Sequence, residues 1–151
     1  MGRLLHAFSL LTIPLKRGIM SQTVKGTFEV ALAPQSLVFA QELPGLGRMS
    51  IDKQFHGDLE ATSKGEMLSA MSSVKGSAGY VAMERVSGAL QGKKGSFVLQ
   101  HSATMNRGAQ AMAITVVPDS GTDELTGLTG GLIIDIVEKK HYYTFTFDIN
   151  G

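Results

Sequence analysis

Glu84 and His101 are the two side chains of this sequence best placed to do chemistry. Strand periodicity puts Tyr80, Ala82, Glu84 and Val86 on one face, and Phe97, Leu99, His101 and Ala103 on one face of the following strand. If both faces turn into an apolar lumen, burial raises the carboxyl pKa of Glu84, and a neighbouring imidazole can accept its proton as in a general acid/base pair. The same spacing fits two structural arrangements equally. One is a satisfied hydrogen-bonded pair that fixes strand register; the other is Glu84 paired with a Lys or Arg at the barrel mouth. Glu66, between Gly65 and Met67, is a second inward candidate, against the alternative of a solvated edge residue. Tyr80, Phe97 and Leu99 complete the surface that a ligand beside Glu84 and His101 would touch.

Other chemistries lack their residues. The chain has no Cys, which removes thiolate metal sites, thiol nucleophiles and disulfides. His56, His101 and His141, the histidines beyond the first twenty residues, fall in no His-x-His or His-Glu-x-x-His spacing, so no metal is expected. The stretch from Gly88 to Lys94 is one residue short of a phosphate loop and lacks its Ser or Thr, and no Gly-x-Ser-x-Gly elbow is present. No cofactor is expected either. With 14 basic and 13 acidic residues the formal charge is +1, which leaves no electrostatic footprint for nucleic acid.

The elements that position these residues are strands. Phe28, Val30 and Leu32 alternate with polar or small neighbours. Met49, Ile51, Phe55 and Leu59 share one face, with Lys53 as the exception on it, and Tyr143, Phe145, Phe147 and Ile149 share another. Further strands are expected over residues 63–71, 78–90, 95–106, 109–117 and 131–139, for eight in all. Turns of two to four residues at Gly92–Gly95 and Asn106–Gly108 force antiparallel hairpins, so the order is largely a meander. Ala33 to Gly47, with Pro34 and Pro44, is the longest segment without strand character and a candidate lid, omega loop or short helix. Phe97 and Leu99 oppose Val98, and Leu132, Ile134 and Ile136 oppose Ile133 and Val137. Strands apolar on both faces suit an eight-stranded antiparallel barrel whose outer wall self-associates.

The run from Gly79 through Glu84 to Leu90, followed by Gly95-Ser96-Phe97-Val98-Leu99-Gln100-His101, resembles a bacterial family catalogued as domain of unknown function 3224. Val116 to Thr122, then Glu124 to Leu128 and Gly130, extend the resemblance, which covers roughly residues 24–149. What it implies is an all-β, eight-stranded antiparallel meander barrel similar to allene oxide cyclase, or calycin-like, whose interior holds an apolar ligand. It implies no reaction. Asp123 departs from the pattern, standing where a small residue or Gly is expected in the Gly-Thr-x-Glu-Leu turn.

Residues 21–151 therefore read as one barrel domain. Residues 1–20 read as a leader, either disordered or an upstream-start extension before Met20, with an export or docked helix as alternatives. Leu4, Phe8, Leu11 and Leu15 make it mildly amphipathic, but its apolar run is too short to span a bilayer. A cytoplasmic address is expected. The functional expectation is a barrel that binds a small apolar ligand in its lumen and forms a dimer or trimer. The alternatives are an isomerase or cyclase using Glu84 and His101, and a packed barrel with a purely structural or interaction role. Met49, Met67, Met71, Met83, Met105 and Met112 are expected to supply an adaptable lining or ordinary core filling.

Overall fold

The computed structural model describes residues 21–150; the leader expected over residues 1–20 lies outside the described residues. Eight strands follow in sequence: β1 (Gln22–Gln35), β2 (Leu46–Gly57), β3 (Leu59–Met71), β4 (Ala78–Leu90), β5 (Lys93–Asn106), β6 (Ala109–Val116), β7 (Leu128–Val137) and β8 (Lys140–Ile149). Each pairs antiparallel with the next, and β1 pairs with β8 to close the ring. The expected all-β meander barrel is thus the observed fold. Closure satisfies the outer edges of β1 and β8, which an open sheet would leave unpaired.

Three reversals take two residues each, with both backbones left-handed: Gln91–Gly92, Arg107–Gly108 and Glu138–Lys139. This conformation matches the right-handed twist of the flanking strands, which is why it dominates short hairpins. Glu138 and Lys139 adopt it without a glycine or asparagine, so the strand expected over 131–139 instead runs Leu128–Val137 and stops at a turn the composition does not announce. The segment from Met49 to Leu59 is likewise two strands. Gly57 turns at φ +111°, Asp58 reverses the chain, and Leu59 begins β3 on the inner face. The region Ala33 to Gly47 is shorter than expected as a loop, because β1 continues to Gln35 and β2 starts at Leu46. Among the described residues the one helical element is a 3-10 turn at Asp123–Leu125. Asp123 opens it at φ +52°, a backbone region that favours glycine and accounts for the small residue expected there.

The barrel has a packed end and an open end. At the packed end Phe97 stacks on Phe145 with ring centroids 5.7 Å apart, Phe147 lies against Phe145, and Leu59, Leu90 and Leu128 fill the remaining space. Leu125, carried on the 3-10 turn, plugs this end. The chain leading to it is held along β5: Val117 N–H donates to the Val98 carbonyl, and Thr122 N–H to that of Ser96. Tyr143 ties the β2–β3 reversal from below, its hydroxyl accepting from Leu59 N–H and donating to the His56 carbonyl, both at 3.1 Å. A Cβ at Gly26 would overlap that hydroxyl, so β1 needs a glycine where Tyr143 crosses it. At the β6–β7 seam the strands share a single aligned pair, Thr115 with Gly131.

Toward the other end the inward positions lose their cover. Ala82 and Ile51 are buried, Met49, Met67, Tyr80 and Met105 are half-buried, and Leu32 and Met112 are each 47% exposed. The inner wall is therefore a filled core below and an apolar cup above.

Phe147→Ala is expected to lower the unfolding free energy by about 3–5 kcal/mol through lost burial and a cavity. Thr146→Ala, on the outer face, is expected to cost less than about 1 kcal/mol. Denaturant unfolding of the two variants checks this face assignment, and equal losses would refute it.

Candidate functional site

Four adjacent strands each send one polar side chain to the level where the packed core meets the cup. Lys53 on β2 is aligned with Ser63 on β3, and Glu84 on β4 is aligned with Gly65 on β3 and Leu99 on β5. His101 on β5 is aligned with Ala82 on β4, which sets its ring diagonally beside Glu84. Gly65 leaves the room for this convergence. A side chain there would strike the Cβ of Glu84 and the Met83 carbonyl.

The four groups form one hydrogen-bonded cluster centred on the carboxylate. Glu84 Oε1 accepts from Lys53 Nζ at 2.8 Å and from His101 Nε2 at 2.8 Å, and Oε2 accepts from Ser63 Oγ at 2.7 Å. Glu84 is 1% exposed, His101 3% and Lys53 6%. The Lys53 ammonium also lies 5.0 Å from the centroid of the Phe28 ring and 5.7 Å from that of Phe55, whose faces favour a desolvated cation.

Burial alone would push the Glu84 carboxyl up, as the sequence led us to expect. Here the opposite holds. The His101 hydrogen bond and the Lys53 charge outweigh desolvation and hold it down to about 2. The carboxylate is therefore ionised at neutral pH, with no proton to give. Tyr80, whose ring centroid is 6.3 Å from that of His101, has its phenol pushed up by burial and by the charge of Glu84. It stays protonated and donates weakly to the Met112 sulfur at 3.8 Å.

Of the other expected residues, Phe97 and Leu99 are fully buried in the packed half, so they support the cluster from below; Tyr80 stands above it at the cup wall. Glu66 is a correction. Gly65 and Met67 point inward, so Glu66 between them points out and pairs with Arg48 in solvent. His56 is also outside, bonded to Glu29, whereas His141 faces in against Phe28 with ring centroids 5.0 Å apart. Among the described residues no three His, Asp or Glu side chains are grouped to hold a metal. Lys53 and Ser63 were not singled out from the sequence. Lys53 did leave a signal, a lysine in phase with Ile51 and Phe55, but Ser63 left none.

A family model described as protein of unknown function, DUF3224, matches residues 24–147. The chain belongs to the DUF3224 family. A DUF3224 protein of unknown function from Shewanella oneidensis MR-1, whose crystal structure is solved, is 49% identical to this chain; the match covers 87% of this chain and all of that one, with a TM-score of 0.82. No curated protein matches the sequence. The DUF3224 match carries no allene oxide cyclase assignment, so no cyclase residue is transferred to this barrel.

Because the Glu84 carboxyl is lowered from 4.5 to about 2, its contribution to stability is fully present above pH 4.5 and is lost as pH falls toward 2. Urea unfolding as a function of pH is expected to show this loss, on the order of 3 kcal/mol, and Glu84→Gln should abolish it. At pH 7, Lys53→Met is expected to cost about 3–5 kcal/mol by leaving the carboxylate short of its counter-ion. A pH profile unchanged by Glu84→Gln would mean the carboxylate is not held as described.

Proposed function

We propose that this DUF3224 barrel is a binding protein that holds a small, mainly apolar molecule in the open half of its lumen. The observation that carries the reading is the gradient of cover along the inner wall. Below the Lys53–Glu84–His101 level the inward apolar side chains are packed into the core; above it Met49, Met67, Tyr80, Met105, Met112 and Leu32 keep apolar surface that the chain does not cover. Exposed apolar surface gathered on a concave wall, with a few polar groups at its floor, is the usual composition of a small-molecule site. Several of these residues are methionines, whose unbranched thioethers adapt to varied shapes.

Acid/base turnover by Glu84 and His101, the enzymatic alternative, is not favoured. A general acid or base works best with a pKa near the operating pH, and Glu84 lies far below it with both oxygens already accepting hydrogen bonds.

Self-association is the second part of the proposal. On the outer wall Leu68 of β3 is aligned with Val81 of β4, Met83 lies two residues along on the same face, and all three are exposed. The ion pairs Arg48–Glu66 and Lys64–Asp52 flank this strip with both signs of charge, as a surface meeting its own copy about a two-fold axis requires.

The neutral fluorophore N-phenyl-1-naphthylamine is expected to brighten on binding the wild-type protein. Ala103→Trp, which fills the cup between Tyr80 and Met112, is expected to abolish that signal while preserving the fold; wild-type protein that leaves the dye dark would refute the binding reading. Sedimentation should show a dimer for the wild type and a monomer for Val81→Lys. A monomeric wild type would remove self-association.

A further inference from the structure

The lumen has a charge balance that restricts what it can hold. Side chains alternate between the two faces of a strand, so the residues in phase with the buried face can be read directly from the register. Among the described residues in that phase, Lys53, Glu84 and Lys93 carry formal charge, and Lys93 is exposed at the packed-end hairpin beside Leu90, away from the cup. Lys53 and Glu84 cancel each other across 2.8 Å. The charges of Arg48, Asp52, Lys64, Glu66 and Arg85 all lie in the opposite phase and face out.

A ligand bearing a carboxylate or an ammonium group would therefore enter an apolar cup that offers no unpaired counter-charge. Removing such an ion from water without a partner is strongly unfavourable. A neutral polar group meets no such barrier, and the cluster leaves one atom for it. His101 donates through Nε2 to Glu84, so in the neutral ring Nδ1 is an acceptor, and no hydrogen bond among the described residues uses it. The matching ligand group is a donor without charge.

We propose that the lumen selects an uncharged apolar alcohol, whose hydroxyl donates to His101 Nδ1 while its hydrocarbon lies against Tyr80 and the methionines, over the acid or amine of the same length. This rests on the lumenal binding proposed above, and it assigns the ligand class that such binding would favour.

The test is a matched series at pH 7, octan-1-ol, octanoate and octylammonium, titrated into the full chain and followed by the 15N resonances of the His101 ring and by calorimetry. Octan-1-ol is expected to bind at least tenfold more tightly than either ion and to shift the His101 signals. Octanoate or octylammonium binding as tightly as octan-1-ol would overturn charge selection while leaving lumenal binding intact. Octan-1-ol binding without a His101 shift would overturn the hydroxyl contact. If none of the three binds and N-phenyl-1-naphthylamine is also dark, lumenal binding itself fails; if the dye binds and none of the three does, only the alcohol assignment fails. In Glu84→Gln, where Lys53 lacks its counter-ion, octanoate is expected to gain at least tenfold relative to octan-1-ol. An unchanged ratio in the folded variant would refute charge cancellation as the cause, and the wild-type series decides the question if the variant does not fold.

Discussion

A carboxylate that is 1% exposed needs hydrogen-bond donors, and Glu84 takes them from β2, β3 and β5 while standing on β4. That requirement constrains half of the barrel at once. Slipping any of these strands by one residue would turn its donor to the outer face and strand the charge. Apolar packing tolerates many rearrangements of similar volume; a carboxylate with three specified donors tolerates few. The cluster thus acts as a register lock for β2 to β5. Hydrophobic contacts at the packed end supply most of the cohesion, through the Phe97–Phe145–Phe147 stack and the Leu125 plug.

The division along the barrel axis follows from where each task can be done. Closing one end with aromatic rings and a 3-10 turn leaves the other free to keep apolar surface uncovered. The charged cluster lies at the boundary between them, where it seals the core and floors the cup. Tyr80 and Met112 belong to the upper wall, touching each other through a weak O–H to sulfur contact.

Much of this was legible from alternation alone. A period of two needs no knowledge of where strands end, which is why Glu84 and His101 could be assigned to one lumen and Phe145 and Phe147 to its core. Leu59 kept its inward face even though it starts a new strand, because the Gly57–Asp58 reversal preserves phase. What failed did so for identifiable reasons. The direction of the Glu84 shift depends on Lys53, which arrives from two strands away, so reading β4 and β5 alone supplied the desolvation and missed the counter-ion. Glu66 was assigned to the inner face although its neighbours Gly65 and Met67 occupy it. The Glu138–Lys139 turn escaped notice because its residues carry none of the chemistry that usually marks a left-handed backbone.

Ring closure has a geometric consequence for anything joined to this chain. The start of β1 lies beside the end of β8, with Gln22 aligned with Phe147, and both belong to the packed end beneath the Leu125 plug. Seven seams join strands that are consecutive in sequence; the eighth brings together residues more than a hundred positions apart, so its formation bears most of the loop-closure entropy. Once it has formed, a fusion at residue 150 leaves the barrel from the side opposite the cup. Such cargo hangs from the base and leaves the mouth unobstructed, so the barrel can be tethered to a surface or to another domain with its entrance facing solvent.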